Sequence, residues 1–204
     1  MKGRRRKPRV NDAAGTRRRL LEAAASEIYA NGFHAVSVEQ VLRSAGVTKG
    51  ALYHHFEGKG ALAQAMVTEI LGGHVRAFVK ELSRAPDPAR ALAAWVEGPP
   101  WADLRKGCPL NNLAQEMASV DETFRRRIEA VFAEWRGGIA AALRRGRGSG
   151  VVRRGVDPEA AACFILASLE GSYSLAKSAQ DPSLFVSNMK LLSGFIQGLR
   201  GPSH

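Results

Sequence analysis

The sequence predicts an all-α protein of about nine helices. Apolar residues recur with the 3.6-residue period of a helix along most of the chain, and no stretch shows the two-residue alternation of a half-buried strand. Glycine, proline and capping residues divide these periodic stretches into segments of helical length. We expect a basic, disordered arm over residues 1–15, a small helical domain over residues 16–60 and a larger one over residues 61–204.

The first three helices are predicted from their capping residues. An apolar stripe behind a basic lead-in indicates helix one, and Gly32 is suited to end it. Ser37 offers a side-chain oxygen to the start of a second helix, with Gln40 as its capping-box partner. Gly46 can adopt the left-handed conformation that ends this helix, and Thr48 then caps a third. Two short helices joined by such a turn predict a helix-turn-helix.

The larger domain is predicted to contain six more helices. A fourth helix follows Gly58 and runs to about Ser83. Aspartate followed by proline, at residues 87–88 and 157–158, starts the fifth and eighth helices, because aspartate caps a helix and proline suits its first turn. Pro109 suits the start of the sixth. The seventh has the strongest amphipathic pattern, formed by Phe124, Ile128, Val131, Phe132, Trp135, Ile139 and Leu143.

The last two helices are expected to pack against a second copy of the chain. Residues 159–176 are apolar or small on nearly all sides, which indicates burial on more than one face. The last helix carries a coiled-coil-like seam that neighbouring residues widen. The seam is Phe185, Met189, Leu192, Ile196 and Leu199, widened by Leu184, Leu191 and Phe195. We expect a homodimer with an isologous four-helix interface, the alternative being a purely intramolecular core.

Basic charge is concentrated in the first third of the chain. The net charge is +11 at pH 7, and residues 1–60 hold 12 Lys and Arg against 5 Asp and Glu, whereas residues 61–204 hold 18 against 14. Such an excess favours a polyanionic partner. The two cysteines lie far apart, and no apolar stretch has the length of a signal peptide or a membrane span, so a cytoplasmic protein without membrane contact is expected.

Residues 45–56, AGVTKGALYHHF, are the strongest candidate for a functional surface. His54 and His55 are neighbours and point about 100° apart on a helix, so they cannot share a metal ion, and no cofactor is expected. Leu52 and Phe56 are suited to dock the helix on its neighbours. Its outward side chains then suit the major groove of DNA and the flanking phosphates.

Residues 23–62 resemble the DNA-binding domain of the TetR family of transcriptional regulators. The resemblance rests on the Gly-Phe pair after helix one, the AGV turn and the tyrosine, histidine and phenylalanine of the third helix. Gly60 and Ala61 replace the family's usual acidic residues, a change that affects only the start of helix four. The resemblance implies phosphate contacts by Ser37, Thr48, Lys49, Tyr53, His54 and Lys59. It also implies that Lys49, Gly50, Ala51 and Tyr53 lie nearest the base edges.

The second domain is similar to the LmrA/YxaF-like subgroup of the same family. The similarity rests on GCPLNNLAQEM at residues 107–117 and on the long helix that follows. It implies a domain that dimerises and binds a small-molecule effector. A cavity among aromatic groups and a few polar ones would suit an apolar or amphiphilic effector. The candidate lining residues are Trp95, Trp101, Cys108, Leu110, Asn111, Gln115, Phe132, Trp135, Phe164, Glu170 and Tyr173.

The sequence therefore predicts a homodimeric DNA-binding regulator, a repressor that a small molecule releases from a palindromic operator. One alternative is a redox- or electrophile-sensing regulator, because Arg105, Lys106 and a helix N-terminus beside Cys108 would favour its thiolate. Another is a constitutive DNA binder that uses charge alone. An enzyme is not expected, since no base or oxyanion arrangement accompanies Cys108 and Glu116. The basic arm either enters the minor groove or adds only general attraction.

Overall fold

The computed structural model describes residues 13–201, and their regular secondary structure is helical. Val152 and Arg200 form an isolated antiparallel bridge. The predicted all-α fold class is confirmed. The chain divides into two compact units that meet between Met66 and Val67. The division between a DNA-binding domain and a ligand-binding domain at residues 60 and 61 stays a prediction. Residues 1–12 of the predicted basic arm lie outside the described residues.

The N-terminal unit contains four helices. They are α1 (Ala13–Asn31), α2 (Val38–Ala45), α3 (Lys49–His55) and α4 (Lys59–Met66). Apolar residues from three of these helices, Leu20, Leu52 and Leu62, are almost completely buried and form the centre of its core. Residues 13–15, which were expected in the arm, belong to α1.

The turn between α2 and α3 has the capping geometry that the sequence predicts. The Gln40 backbone N–H donates to Ser37 Oγ at 3.2 Å, and the Ser37 backbone N–H donates to Gln40 Oε1 at 2.7 Å. This reciprocal capping box fixes the start of α2. Gly46 has a φ of 62°, in the left-handed region that favours glycine. Thr48 Oγ1 accepts from the Ala51 N–H at 3.3 Å and starts α3.

The C-terminal unit contains the six remaining α-helices of the described residues. They are α5 (Gly72–Arg84), α6 (Pro88–Glu97), α7 (Pro109–Met117), α8 (Glu122–Gly148), α9 (Pro158–Ala179) and α10 (Pro182–Gln197). Asp87 and Asp157 cap α6 and α9, and a proline follows each of them, as predicted. A π-helical turn, Val67–Leu71, precedes α5 and was not predicted. If residues 59–84 are counted as one helix, residues 13–201 contain nine.

Helices α5 and α8 approach each other closely at a glycine. A Cβ atom on Gly138 would lie 2.4 Å from Val79 Cγ2, which is closer than two non-bonded carbon atoms approach in folded proteins. The adjacent Gly137 has open space at the same position. Glycine at residue 138 therefore lets α5 lie against α8 and helps to form the cavity described below, since both helices contribute to its lining.

Candidate functional site

Helix α3 exposes its polar residues because its apolar residues pack inward. Leu52 is fully buried, and Phe56, at the end of the helix, is also buried. Tyr53 is 52% exposed, which is unusual for an aromatic side chain in a folded domain. The exposed residues of α3 are Lys49, Gly50, Tyr53 and His54, and Ala51 is half-buried. This two-turn helix thus offers an amine, a phenol and an imidazole to solvent.

The cationic groups near α3 are available to a polyanion. Lys49 Nζ lies 3.9 Å from Glu39 Oε1, but both side chains are more than half exposed, and such pairs contribute little to stability. Arg43, in the last turn of α2, is exposed as well. The sequence prediction did not single out Arg43, although its position directly before the AGV turn indicates proximity to α3.

The structure gives Lys59 an internal role that separates it from the exposed residues of α3. Its ammonium group donates to the Phe33 carbonyl at 2.9 Å and to the Val36 carbonyl at 2.8 Å. It also lies 4.4 Å from the centroid of the Phe33 ring, within the range of a cation–π contact. Lys59 therefore joins the start of α4 to the loop between α1 and α2. The phosphate contact that the resemblance implies for it stays a prediction.

We expect Lys59→Met to lower the free energy of unfolding by about 2 kcal/mol, because two carbonyls lose a charged donor. Methionine retains most of the apolar stem, so the loss reports the ammonium group. Urea unfolding followed by circular dichroism measures the difference. Lys49→Met is the matched control and should change stability by less than about 0.5 kcal/mol, since its amine is exposed. Equal losses in the two variants would contradict the internal role of Lys59.

All three tryptophans of the chain line one cavity in the C-terminal unit. The cavity has a volume of about 300 Å³ and is lined by His74, Val75, Ala77, Phe78, Trp95, Trp101 and Trp135. The ring centroid of Trp135 lies 6.1 Å from that of Trp95 and 6.0 Å from that of Trp101, with interplanar angles of 75° and 79°. Three of the predicted effector-binding residues thus meet at one site.

The α5 side of this cavity was missed by the sequence analysis. His74 and Phe78 lie four residues apart and therefore share one face of α5, and the Phe78 ring centroid lies 4.4 Å from that of Trp95. The spacing of a histidine and a phenylalanine on one helix face was the available signal. Without the packing of α5 against α6 and α8, it did not distinguish a cavity wall from ordinary core.

Other predicted effector-binding residues do not line this cavity. Tyr173 is buried, with its ring centroid 6.2 Å from that of Trp101. Leu110 is buried in α7. Asn111 Nδ2 donates to Ser174 Oγ at 3.1 Å and so joins α7 to α9. Gln115 Nε2 donates to Asn111 Oδ1 at 3.4 Å within α7.

Phe132 and Phe164 lie apart from the lining residues of the cavity. Phe132 is half-buried on α8. Phe164 is exposed on the outer face of α9, where its ring centroid lies 4.7 Å from that of Phe195. The structure therefore places Phe164 in the surface between α9 and α10. Because α9 is apolar on nearly all sides, its sequence pattern did not show which residues point outward.

Cys108 and Glu170 form a buried pair between α7 and α9. Burial raises the pKa of Glu170 to about 7. Burial, together with the negative charge of Glu170, raises the pKa of the Cys108 thiol well above its usual value. The expectation that Arg105, Lys106 and a helix N-terminus favour the thiolate is therefore wrong. A thiol that is buried and protonated lacks the reactivity that a redox or electrophile sensor needs.

A large apolar surface covers the outer faces of α9 and α10. Six of the eight large apolar side chains that are exposed within residues 13–201 belong to these two helices, so the exposure is concentrated rather than scattered. They are Phe164, Leu175, Leu184, Val186, Leu191 and Phe195. A groove of about 320 Å³ runs between the helices, and Phe164, Leu191 and Phe195 contribute to its lining. Contiguous apolar surface of this kind is typical of a protein interface.

Residues 13–201 offer neither a membrane span nor a metal centre. None of the helices there has both the length and the apolar content of a bilayer span. The same residues bring together no group of three His, Cys, Asp or Glu side chains that could hold a metal ion.

Two family models match the chain, one in each unit. Residues 20–66 match the model described as "Bacterial regulatory proteins, tetR family". Residues 89–192, about half of the chain, match the model described as "Tetracyclin repressor-like, C-terminal domain". The first match contains α2 and α3. The second contains all three tryptophans of the cavity, Trp95, Trp101 and Trp135.

Individual proteins show similarity over most of the chain. Transcriptional regulator AcuR of Cereibacter sphaeroides is 31% identical over 183 residues, which cover 86% of this chain and 83% of AcuR. The uncharacterized HTH-type transcriptional regulator YxaF of Bacillus subtilis is 29% identical over 134 residues, covering 63% of this chain and 70% of YxaF. A crystal structure of a TetR-family regulator from Cytophaga hutchinsonii has a TM-score of 0.82 at 20% identity, covering 96% of this chain and all of that one.

Proposed function

Because the chain belongs to the TetR family of bacterial regulatory proteins, we propose that it is a homodimeric repressor that a small molecule releases from a palindromic operator. Family membership makes the chain a DNA-binding transcriptional regulator with a helix-turn-helix domain, and not an enzyme. The sequence predictions on family, fold and regulatory class are thereby confirmed. Dimerisation, the operator and the effector belong to the proposal, as does action in the cytoplasm.

The observation that carries the proposal is the outward polar surface of α3. A helix that follows a tight turn, has a buried apolar side and exposes an amine, a phenol and an imidazole is suited to the major groove. Ser37 and Thr48, which cap α2 and α3, are exposed beside it. Each hydroxyl group can donate its hydrogen to a phosphate oxygen while its own oxygen accepts from the backbone N–H that it caps. Contacts of this kind fix the position of α3 on the duplex.

The exposed apolar surface of α9 and α10 supports dimerisation with a second copy. Two copies related by a two-fold axis would bury this surface against itself in an isologous interface. The same axis would relate the two copies of α3, so that the preferred operator contains two half-sites in inverted orientation. A single two-fold axis thus accounts for both the proposed dimer and the proposed symmetry of the operator.

The tryptophan-lined cavity supports regulation by a small molecule. Its volume of about 300 Å³ lies at the lower end of the range for small-molecule sites, and its walls are mainly aromatic. An effector that binds the released form more tightly than the operator-bound form would shift the population of dimers away from DNA. The size of that shift is limited by the difference between the two affinities.

Lys49→Ala and Tyr53→Ala are each expected to weaken operator binding about 30- to 100-fold, since one contact is lost in each of two half-sites. The operator is first obtained by selecting bound fragments from random DNA. Affinities are then measured by fluorescence anisotropy at about 150 mM salt. Lys80→Ala, which removes an exposed lysine from α5, is the matched control and should change affinity less than about threefold.

Competition with unrelated DNA distinguishes this proposal from a DNA binder that uses charge alone. A sequence-specific regulator keeps its selected site in the presence of a large excess of unrelated duplex. A binder that uses charge alone loses the site to the competitor and yields no enriched sequence in the selection. The second result, or wild-type affinity in both α3 variants, would overturn the proposal.

A further inference from the structure

We propose that the effector of the tryptophan-lined cavity is an organic cation with an apolar body, such as a quaternary or protonated amine. This inference rests on the proposed function, which assigns the effector to that cavity. It adds the charge of the effector, which neither the fold nor family membership specifies. Three features of the C-terminal unit support a cationic ligand: the arrangement of the rings, the absence of lysine and arginine from the described lining and a buried carboxyl group on α9.

The rings around the cavity have the arrangement of an aromatic cage. Trp95 and Trp101 each stand nearly perpendicular to Trp135, so the three indoles form adjoining walls rather than a stack. Phe78, tilted by 39° against Trp95, extends one wall. The face of an aromatic ring carries partial negative charge, and several faces around one cavity attract a cation. Tryptophan is the strongest of the aromatic residues in this interaction.

The described lining of the cavity contains no lysine or arginine side chain that would favour an anion. It consists of four aromatic residues, two aliphatic residues and His74. Arg76, which is also on α5, donates to the Thr68 carbonyl at 2.9 Å and to Glu134 Oε2 at 3.3 Å. Its guanidinium group is therefore engaged outside the lining. An anionic effector would exchange its hydration for neutral donors at most, the indole N–H groups of Trp101 and Trp135.

Glu170 is a buried carboxyl group on α9 that lies outside the cavity lining, one helical turn from a residue that packs on it. It is only 8% exposed, and within residues 13–201 neither of its oxygens has an N–H or O–H partner. Its polar neighbour is the Cys108 thiol, and no lysine, arginine or histidine of the described residues forms an ion pair with it. One helical turn further along α9, the Tyr173 ring contacts Trp101 of the cavity wall. A cation in the cavity would interact with this carboxylate through a medium of low dielectric constant.

The inference is tested with benzyltrimethylammonium and its uncharged carbon isostere, neopentylbenzene, on the full-length protein at pH 8. The two probes match in shape, so a difference in affinity reports the charge. Because every tryptophan of the chain lines the cavity, quenching or a shift of tryptophan emission reports binding at this site directly. We expect the cation to bind at least 10-fold more tightly than the isostere.

Two variants assign the charge preference to the proposed groups. Glu170→Gln is expected to weaken binding of the cation about 3- to 10-fold and to leave the isostere unchanged. Glu81→Gln, which neutralises an exposed carboxylate of α5, is the matched control and should affect neither probe. Trp95→Phe, which keeps an aromatic ring of smaller area, is expected to weaken binding of the cation about threefold. Thermal unfolding of each variant verifies that it is folded.

The outcomes separate the charge of the effector from the proposed function. Equal binding of both probes, or binding of the isostere alone, overturns the cationic effector and leaves an apolar effector for the repressor. Binding of neither probe overturns it as well, whatever the DNA selection shows. Selective binding of the cation without release of the selected operator supports the inference on the ligand but contradicts ligand-induced release.

Discussion

Glu170→Gln is expected to raise the free energy of unfolding by up to about 3 kcal/mol at pH 8 and to leave it nearly unchanged at pH 4.5. Burial raises the pKa of Glu170 from its ordinary value of 4.5 to about 7 in the folded protein. The folded state therefore binds a proton that the unfolded state has already released between these two pH values. Binding of this proton adds to the free energy of unfolding of the wild-type protein at low pH. That contribution falls as pH rises from 4.5 to 7 and is lost above pH 7.

The measurement is urea unfolding of the wild type and the variant at pH 4.5, 6 and 8. Glutamine has nearly the same shape as glutamate and does not ionise, so the difference between the two proteins isolates one titration. Glu97→Gln removes an exposed carboxylate from α6 and should show no such dependence. A difference between wild type and Glu170→Gln that stays constant with pH would show that Glu170 titrates normally in the folded protein.

Leu191→Glu is expected to raise the dissociation constant of the proposed dimer at least 100-fold, which makes the protein monomeric at micromolar concentration. Leu191 is 76% exposed on α10, so a glutamate there does not disturb the core of the C-terminal unit. In an isologous interface each substitution appears twice. Two carboxylates would then be buried without partners, at a cost of several kcal/mol.

Sedimentation velocity measures this change, and operator affinity should fall together with the dimer. Val120→Glu is the matched control, because Val120 is 65% exposed but lies outside α9 and α10. That variant should remain dimeric and bind DNA as the wild type does. A monomeric wild-type protein, or a dimeric Leu191→Glu variant, would contradict the assignment of the apolar surface of α9 and α10 to a second copy.

Helix boundaries were predictable because their causes are local. Ser37, Thr48, Asp87 and Asp157 each satisfy backbone donors within three residues of themselves, so the sequence alone identifies them. The same holds for the left-handed turn at Gly46. The outward face of α3 followed from these boundaries together with helical periodicity. The π-helical turn at Val67–Leu71 has no comparable local cause in the sequence and was missed.

The cavity was predicted only in part because it depends on packing between helices distant in sequence. The three tryptophans were identified as candidates from their type, but the contribution of α5 requires its contact with α6 and α8. Phe164 was assigned to the wrong surface for the same reason. The behaviour of Cys108 depends on Glu170, which follows it by 62 residues and reaches it only because α7 packs near α9. The basic residues close to Cys108 in the sequence, Arg105 and Lys106, therefore did not predict the protonation state of its thiol.

The residues of α3 divide the tasks of folding and recognition between them. Leu52 and Phe56 hold the helix in place, whereas Lys49 and Tyr53 extend into solvent. Substitutions at the solvent-facing positions consequently change little of the folding free energy. Over generations, a duplicated copy of this gene can acquire a new target sequence without first gaining compensating mutations elsewhere. A protein engineer can randomise the same few positions for the same reason.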